Sequence, residues 1–252
     1  MNGIIGLLVR VAEAGNIDAI WKEAAAFFAT CGFSRANYGY TRFRHDQSIG
    51  NPDDALYLTT AGPDYARRYF AEGLYARTPV FKWAQENVGC CTWAWVREKA
   101  ARGELTADEM DALRQNAEMG ITAGVTVSFP QSSSRSKGAL GLIADAGLSS
   151  EDVEEIWARC GAEIQAVAHM MHLKIIQLPA PNRRRNLTPR QREALEWVAD
   201  GKTTGDIALL MEVSPAMVEK HLKLARETLD VETTAQAVAK AALLNMIFSK
   251  PG

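Results

Sequence analysis

The 252-residue chain has no surplus of either charge, no long apolar run and few residues of the kinds that build covalent or metal-held sites. Its 28 Lys and Arg stand against 30 Asp and Glu, a net charge of −2, which excludes a chain that binds nucleic acid by bulk positive charge. Nothing approaches ~18 unbroken apolar residues, so no transmembrane helix is expected. The opening MNGIIGLLVR is apolar only briefly, lacks a basic start and is interrupted by Arg10, so it does not read as a signal peptide. No glycine follows Met1, so no myristoylation signal is read either. The four cysteines, Cys31, Cys90, Cys91 and Cys160, form no CxxC pair and have no histidine at metal spacing. They are expected to be reduced, small core residues in a cytoplasmic protein, with no metal and no cofactor. Cys90 and Cys91 are adjacent and would point to opposite faces of an extended segment. The nearest pairing of nucleophile and base is Ser132–Ser134 with His45, His169 and His172. The serines fall in a polar loop, two of the histidines on a long helix, and no motif links them, so no catalytic residue is assigned and the chain is not expected to be an enzyme.

What is present is an ordinary globular composition, 47% hydrophobic and 23% charged, at a length suited to one large or two modest domains. The sharpest boundary is LPAPNRRRN, residues 178–186. Two prolines forbid a continuous helix there and three consecutive arginines resist burial, which marks an exposed linker or a basic tail touching phosphate. Ahead of it, helical and strand patterns intermix. Ile17 to Ala29 carries apolar residues at helical spacing, Phe33 to Phe43 partly alternates as a strand, and Leu56 to Thr60 is a short second strand. Asp64 to Glu72 reads as a helix. Thr106 to Met119 is a helix with a Thr106–Glu109 capping box and Gly120 at its end. Val125–Phe129 and Ala139–Ala144 are strands joined by QSSSRSKG, a hairpin signal. Ser149 to Gln177 is a long amphipathic helix. Few strands among helices predict an α+β domain with one antiparallel sheet, residues 1–177.

Beyond the linker, residues 187–252 are all helical. Residues 183–252, which include Arg183–Arg185, hold 11 Lys and Arg against 9 Asp and Glu, so this end is only mildly basic and cations must be placed on one face. Thr188 is an N-cap with Pro189 at the first helical position, and the helix runs to Ala199 before Gly201. Thr203 starts a short helix carrying Ile207, Ala208 and Leu210. Ser214-Pro215 caps the next, in which Val218, Leu222 and Ala225 dock inward. Met217, Glu219, Lys220, His221 and Lys223 then face outward near its N-terminal half, the part that enters a major groove in a helix-turn-helix.

At this point the segment resembles the LuxR/GerE-type four-helix DNA-binding domain. The matching residues are Leu187-Thr188-Pro189-Arg190, Gly201-Lys202-Thr203, Asp206-Ile207-Ala208, Val213-Ser214, Val218, His221-Leu222 and Ala237-Val238-Ala239. The resemblance implies that Lys202, Thr203, Thr204, Lys220 and His221 lie near phosphates, with Ser214 and Met217 at the start of the recognition helix. Glu219, Lys220 and Lys223 become the base readers, since Lys donates to guanine O6/N7 and Glu accepts from cytosine N4. Gln191 replaces a glutamate common in the motif, and Met217 replaces a threonine and cannot hydrogen-bond phosphate. Thr234 to Ile247, with Ala235, Val238, Ala239 and Leu243, would be a dimerisation helix, placing two half-sites one helical turn apart.

The first domain lacks paired aspartates at the ends of early strands, which argues against a Mg²⁺-dependent phosphoacceptor; Asp53-Asp54 reads as a turn. Aromatic residues instead crowd the region from Tyr57 to Trp95, as in a small-molecule pocket. Residues 15–175 resemble the autoinducer-binding domain of LuxR-type quorum-sensing regulators. Tyr65-x-x-x-Tyr69 stands where those proteins carry Trp-x-x-x-Tyr, Thr78-Pro79 where they carry Asp-Pro, Trp93 beyond that proline, and Gly120-x-x-x-Gly124-x-Thr126-Val127 matches a Gly-rich strand start. The resemblance implies a ligand site at Tyr57, Tyr65, Tyr69, Thr78, Trp93 and Ala144. Thr78 removes the carboxylate that accepts the amide N–H of an acyl-homoserine lactone, at a cost of about 1–3 kcal/mol, while Tyr65 keeps a donor. Ala144 is taken as the strand position that often carries Ser or Thr.

The whole chain therefore reads as a cytoplasmic transcription regulator of the LuxR quorum-sensing type. Its expected partners are double-stranded promoter DNA, a small apolar signal (an acyl-homoserine lactone or another molecule, the departures weighing against the standard lactone) and a second copy of itself. The alternative is a ligand-independent regulator, or an anti-activator that pairs with a related LuxR-type regulator. No membrane partner is expected.

Overall fold

The computed structural model describes residues 3–45, 49–131, 133–179 and 186–248. By contacts the chain divides into two compact units, Met1–Ile175 and Ile176–Gly252. Among the described residues no helix is long and apolar enough to cross a membrane.

The first unit is built on one five-stranded antiparallel sheet in the order β2-β1-β5-β4-β3. The strands are β1 Arg35–Thr41, β2 Leu56–Thr59, β3 Gly89–Thr92, β4 Gly124–Ser128 and β5 Lys137–Ile143. Helices α1 (Ile4–Glu13), α2 (Ile17–Thr30) and α7 (Ser150–Ile175) pack together, with α2 and α7 laid on one face of the sheet. The strand period of two decides what they cover. Tyr38, Leu140 and Val127 fall in one row across β1, β5 and β4, all fully buried. Their neighbours Asn37, Gly141 and Thr126 form the next row, on the opposite face. That second face carries α3 (Pro63–Ala66), α4 (Pro79–Glu86), α5 (Ala94–Ala101) and α6 (Ala107–Glu118). The unit is thus an α+β sandwich of helices, sheet and helices, as its sequence predicts.

Several elements differ from the sequence reading. The helix expected over Asp64–Glu72 is a single α turn, α3, followed by a wider turn over Arg67–Ala71 in which the Glu72 amide reaches back five residues to the Arg67 carbonyl at 2.9 Å. Strand β3 and helices α1, α4 and α5 have no counterpart there. Cys90 pairs with Val127 and Cys91 with Thr126, so the two thiols do lie on opposite faces. All four cysteines are free, and burial pushes the Cys90 and Cys91 thiols up to about 11, so they stay protonated.

Beneath the sheet, His172 of α7 is stacked on Phe129 with ring centroids 4.1 Å apart, and its Nδ1 is hydrogen-bonded to the Tyr38 hydroxyl at 2.9 Å. Burial lowers its pKa from 6.5 to about 3, so the ring is neutral and structural.

Among its described residues the second unit holds four helices, α8 Pro189–Ala199, α9 Thr204–Leu210, α10 Pro215–Leu229 and α11 Thr234–Leu243. Every one starts on a hydroxyl cap: Thr188, Thr203, Ser214 and Thr233 accept from the third helical amide. Gln191 completes the first capping box, its Oε1 taking the Thr188 amide at 2.8 Å, so the amide does the capping work a glutamate would do. Of the apolar residues on α9, Ile207 and Ala208 are buried and Leu210 is exposed, while Met211, one helical turn after Ile207, is buried. Helix α11 ends at Leu243 rather than Ile247, and Asn245 and Phe248 adopt left-handed backbone beyond it. Of the expected linker, residues 180–185, with Arg183–Arg185, lie outside the described residues.

Candidate ligand cavity and candidate nucleic-acid interface

Between the sheet and helices α3 to α6 lies a cavity of about 410 Å³. Its floor is the second face of the sheet, and its roof is largely aromatic. Tyr65 and Tyr69 stack at 5.1 Å and 15°, Tyr57 lies 4.8 Å from Phe70, and Tyr75 meets Phe81 edge-on at 4.9 Å. The row Asn37–Gly141–Thr126 provides one polar end. Asn37 Nδ2 donates to the Tyr65 hydroxyl at 2.6 Å, and its Oδ1 accepts from Thr59 at 2.7 Å. Trp93 Nε1 donates to Thr126 Oγ1 at 2.8 Å. Burial raises the Tyr57 and Tyr65 phenols well above their usual range and pushes Tyr69 up to about 12, so all three remain protonated donors. The Tyr65 oxygen accepts from Asn37 and keeps its own proton for a guest.

Of the six sequence-derived ligand residues, five line this cavity: Tyr57, Tyr65, Tyr69, Thr78 and Trp93. Ala144 does not. It lies one residue past β5, its carbonyl facing the Arg35 guanidinium at 3.4 Å, and Gly141 presents the strand to the cavity instead. Period two explains the difference: Gly141 shares a face with Ala139, whereas Ala144 is offset by an odd number of residues. Thr78 is only 1% exposed; it donates to the Tyr75 carbonyl at 2.8 Å and caps α4 through the Phe81 amide at 3.3 Å. Its single proton is spent within the protein, leaving only spare acceptor capacity.

Sequence reasoning missed Asn37, Thr126 and two buried acceptors in the cavity wall. Gln85 and Asn116 are 7% and 8% exposed, and Gln85 Oε1 and Asn116 Oδ1 have no hydrogen-bond partner among the described residues. Buried polar atoms without partners are uncommon, and both line the cavity. Two glycines shape the surroundings of the cavity. Gly120 has φ +68, which terminates α6. A Cβ on Gly124 would stand 2.2 Å from the Leu142 carbonyl oxygen and 2.9 Å from the Trp93 ring, so only glycine lets that indole lie against β4.

In the second unit, α10 buries Val218, Leu222, Ala225 and Leu229. Met217, Glu219, Lys220 and Lys223 are exposed on it, and His221 is half-buried. Ser214 caps the helix through the Met217 amide at 3.3 Å. The Thr204 hydroxyl donates to Glu219 Oε1 at 3.0 Å, tying α9 to α10. Thr203 donates to Asp206 at 2.7 Å, which with the Thr203 amide holds that carboxyl below its ordinary range. Lys223 lies 3.9 Å from Glu227, whereas Lys202 and Lys220 have no ion-pair partner among the described residues. On α11, Ala237 and Ala241 face inward, leaving Ala235, Ala239 and Leu243 exposed. Among the described residues no group of His, Cys, Asp or Glu could hold a metal ion.

The autoinducer binding domain family matches residues 16–175, and sigma-70 region 4 matches residues 185–229. The chain is 28% identical to the HTH-type quorum sensing-dependent transcriptional regulator RpaR of Rhodopseudomonas palustris, over 93% of this chain and 91% of that protein. It is 27% identical to the transcriptional activator protein TraR of Agrobacterium vitis, over 83% and 84%. Among solved structures, Escherichia coli SdiA covers 98% of each chain with a TM-score of 0.57 at 16% identity. A further SdiA structure, in complex with octanoyl-rac-glycerol, gives a TM-score of 0.53 at the same identity and covers 98% of this chain and 96% of that one.

Proposed function

We propose, from the premise that this chain belongs to the LuxR-type quorum-sensing transcriptional regulators, that it couples a small apolar signal in the 410 Å³ cavity to binding of promoter DNA by α10. The cavity carries this reading. It is of the size typical of ligand sites, about 300–1,000 Å³, its walls are aromatic, and few polar groups converge at its ends. A guest places its polar head against the Tyr65 and Asn37 end, where a phenol proton is available, and its apolar body under Tyr69, Phe70 and Tyr75. Thr78 offers no carboxylate to an amide N–H, which supports a signal other than a standard acyl-homoserine lactone. SdiA with octanoyl glycerol provides a precedent for a guest of different head chemistry in a protein of this fold.

In the regulator, residues 1–177 form the sensor, 178–186 the linker and 187–252 the DNA-binding domain. Lys202, Thr203, Thr204, Ser214, Lys220 and His221 lie near phosphates. Glu219 and Lys223 read bases with Lys220, and Met217 gives an apolar contact. Two copies pair through α7 and the exposed small residues of α11, which sets two recognition helices about one DNA turn apart. The protein acts in the cytoplasm.

The test is mass spectrometry of small molecules extracted from natively purified protein. Recovery of one apolar species in near-equimolar amount is the expected result. Recovery of none, with a related regulator copurifying instead, would favour the anti-activator role.

A further inference from the structure

The cavity has a second polar end that the head-group chemistry above leaves unused. Lys137 is the first residue of β5, four residues before Gly141 and on the same face of the sheet. At about 3.3 Å per residue that places it about 13 Å along the strand from the Asn37–Gly141–Thr126 row. Between the two ends the floor is Gly39 and Ala139, which present no polar side chain. Lys137 is 8% exposed, and its ammonium donates to the Asn87 carbonyl at 2.9 Å. It has no carboxylate partner among the described residues. Burial, aided by the nearby Arg44, lowers its pKa to about 8. Gln85, with its orphaned Oε1, sits on the adjoining turn of α4. The Ser128 hydroxyl fixes that turn by reaching the carbonyls of Ala84 and Asn87 at 2.9 and 2.6 Å. A donor with unspent hydrogens and an acceptor with no partner thus line the same end of an otherwise apolar chamber.

We propose that the natural ligand carries a second oxygen, a hydroxyl at the far end of its apolar body, which accepts from Lys137 and donates to Gln85. The signal is then a bipolar molecule: a polar head at Tyr65 and Asn37, an apolar spacer over Gly39 and Ala139, and a terminal hydroxyl at the Lys137 and Gln85 end. A plain alkyl tail would desolvate the Lys137 ammonium with only the Asn87 carbonyl to accept from it, and would leave Gln85 Oε1 with no donor. This proposal rests on the reading of the cavity as the signal site.

The test is calorimetric titration of the full-length protein with two matched pairs of probes. These are N-decanoyl-homoserine lactone and its ω-hydroxy analogue, and monodecanoyl glycerol and its ω-hydroxy analogue. The ω-hydroxy member of a pair should bind about tenfold tighter than its plain partner. Lys137→Met should reduce that ratio to below about threefold. Gln85→Leu should do so in part, and Lys137→Arg should retain most of the preference. Plain and hydroxylated probes binding equally well to the unaltered protein would overturn the bipolar ligand and leave the sensor reading intact. Failure of all four to bind would overturn both.

Discussion

The Trp93 indole N–H donates to the Thr126 hydroxyl at 2.8 Å, and the ring rests against Gly124, the residue that opens the same strand. One aromatic side chain thus joins β4 to the loop before α5 and closes the polar end of the cavity. Thr126→Val keeps the shape and removes the acceptor. The orphaned indole should cost about 1–3 kcal/mol, read as a lower urea midpoint with an unchanged m-value.

Gly124→Ala tests the close approach directly. A Cβ there meets the Leu142 carbonyl oxygen at 2.2 Å, which no rotamer change relieves because the clash is with backbone. The sensor unit should lose at least about 1–3 kcal/mol, and the Trp93 fluorescence environment should change.

Acid should weaken the sensor through His172. Its pKa falls from 6.5 to about 3 in the folded state, so the unfolded chain binds the proton more readily. The neutral ring contributes stability that is complete above pH 6.5 and is lost as pH falls from 6.5 towards 3, by up to about 1.4 kcal/mol per pH unit. The double variant Tyr38→Phe/His172→Phe, which removes both hydrogen-bonding partners, should flatten that acid slope in denaturant titrations at stepped pH.

Thr78→Asp should convert the ligand preference. Aspartate caps a helix as well as threonine does, so α4 should persist. The restored carboxylate would accept an amide N–H, and affinity for N-decanoyl-homoserine lactone should rise about ten- to a hundredfold by titration.

The recognition helix gives two separable signatures. Lys202→Ala should weaken binding to every duplex alike and reduce the slope of log K against log[salt] by about 0.9 per copy, about 1.8 for the pair. Lys223→Ala should cost about 1–3 kcal/mol on the preferred duplex and relax its selectivity. Both are read by fluorescence anisotropy across a salt series.

Most of the DNA-binding end was legible because its signals are local. Thr188, Thr203 and Ser214 declare helix starts by accepting from the amide three residues on, and Val218, Leu222 and Ala225 mark one face by spacing alone. The capping role of Gln191 is equally local, but a family comparison disguises it as a departure. In the sensor, long regular elements were legible, whereas β3 was not: Gly89–Thr92 is four residues long and acquires its identity only by pairing with β4. The cavity residues divide in the same way. Tyr65, Tyr69 and Trp93 stand out by type. Asn37, Gln85, Asn116 and Lys137 became visible only when the fold brought distant segments to one chamber and left two of their oxygens without partners. Ala144 was misplaced because a shift of three residues along a strand reverses the face.

The most direct measurement is the affinity of the full-length protein for duplexes selected from a randomised pool, followed from about 50 to 200 mM salt. Two paired recognition helices making six or more phosphate contacts should lose about 10³-fold or more in affinity over that range, and Lys220→Ala should make the loss shallower. Absence of any salt-sensitive association with duplex DNA would contradict the account.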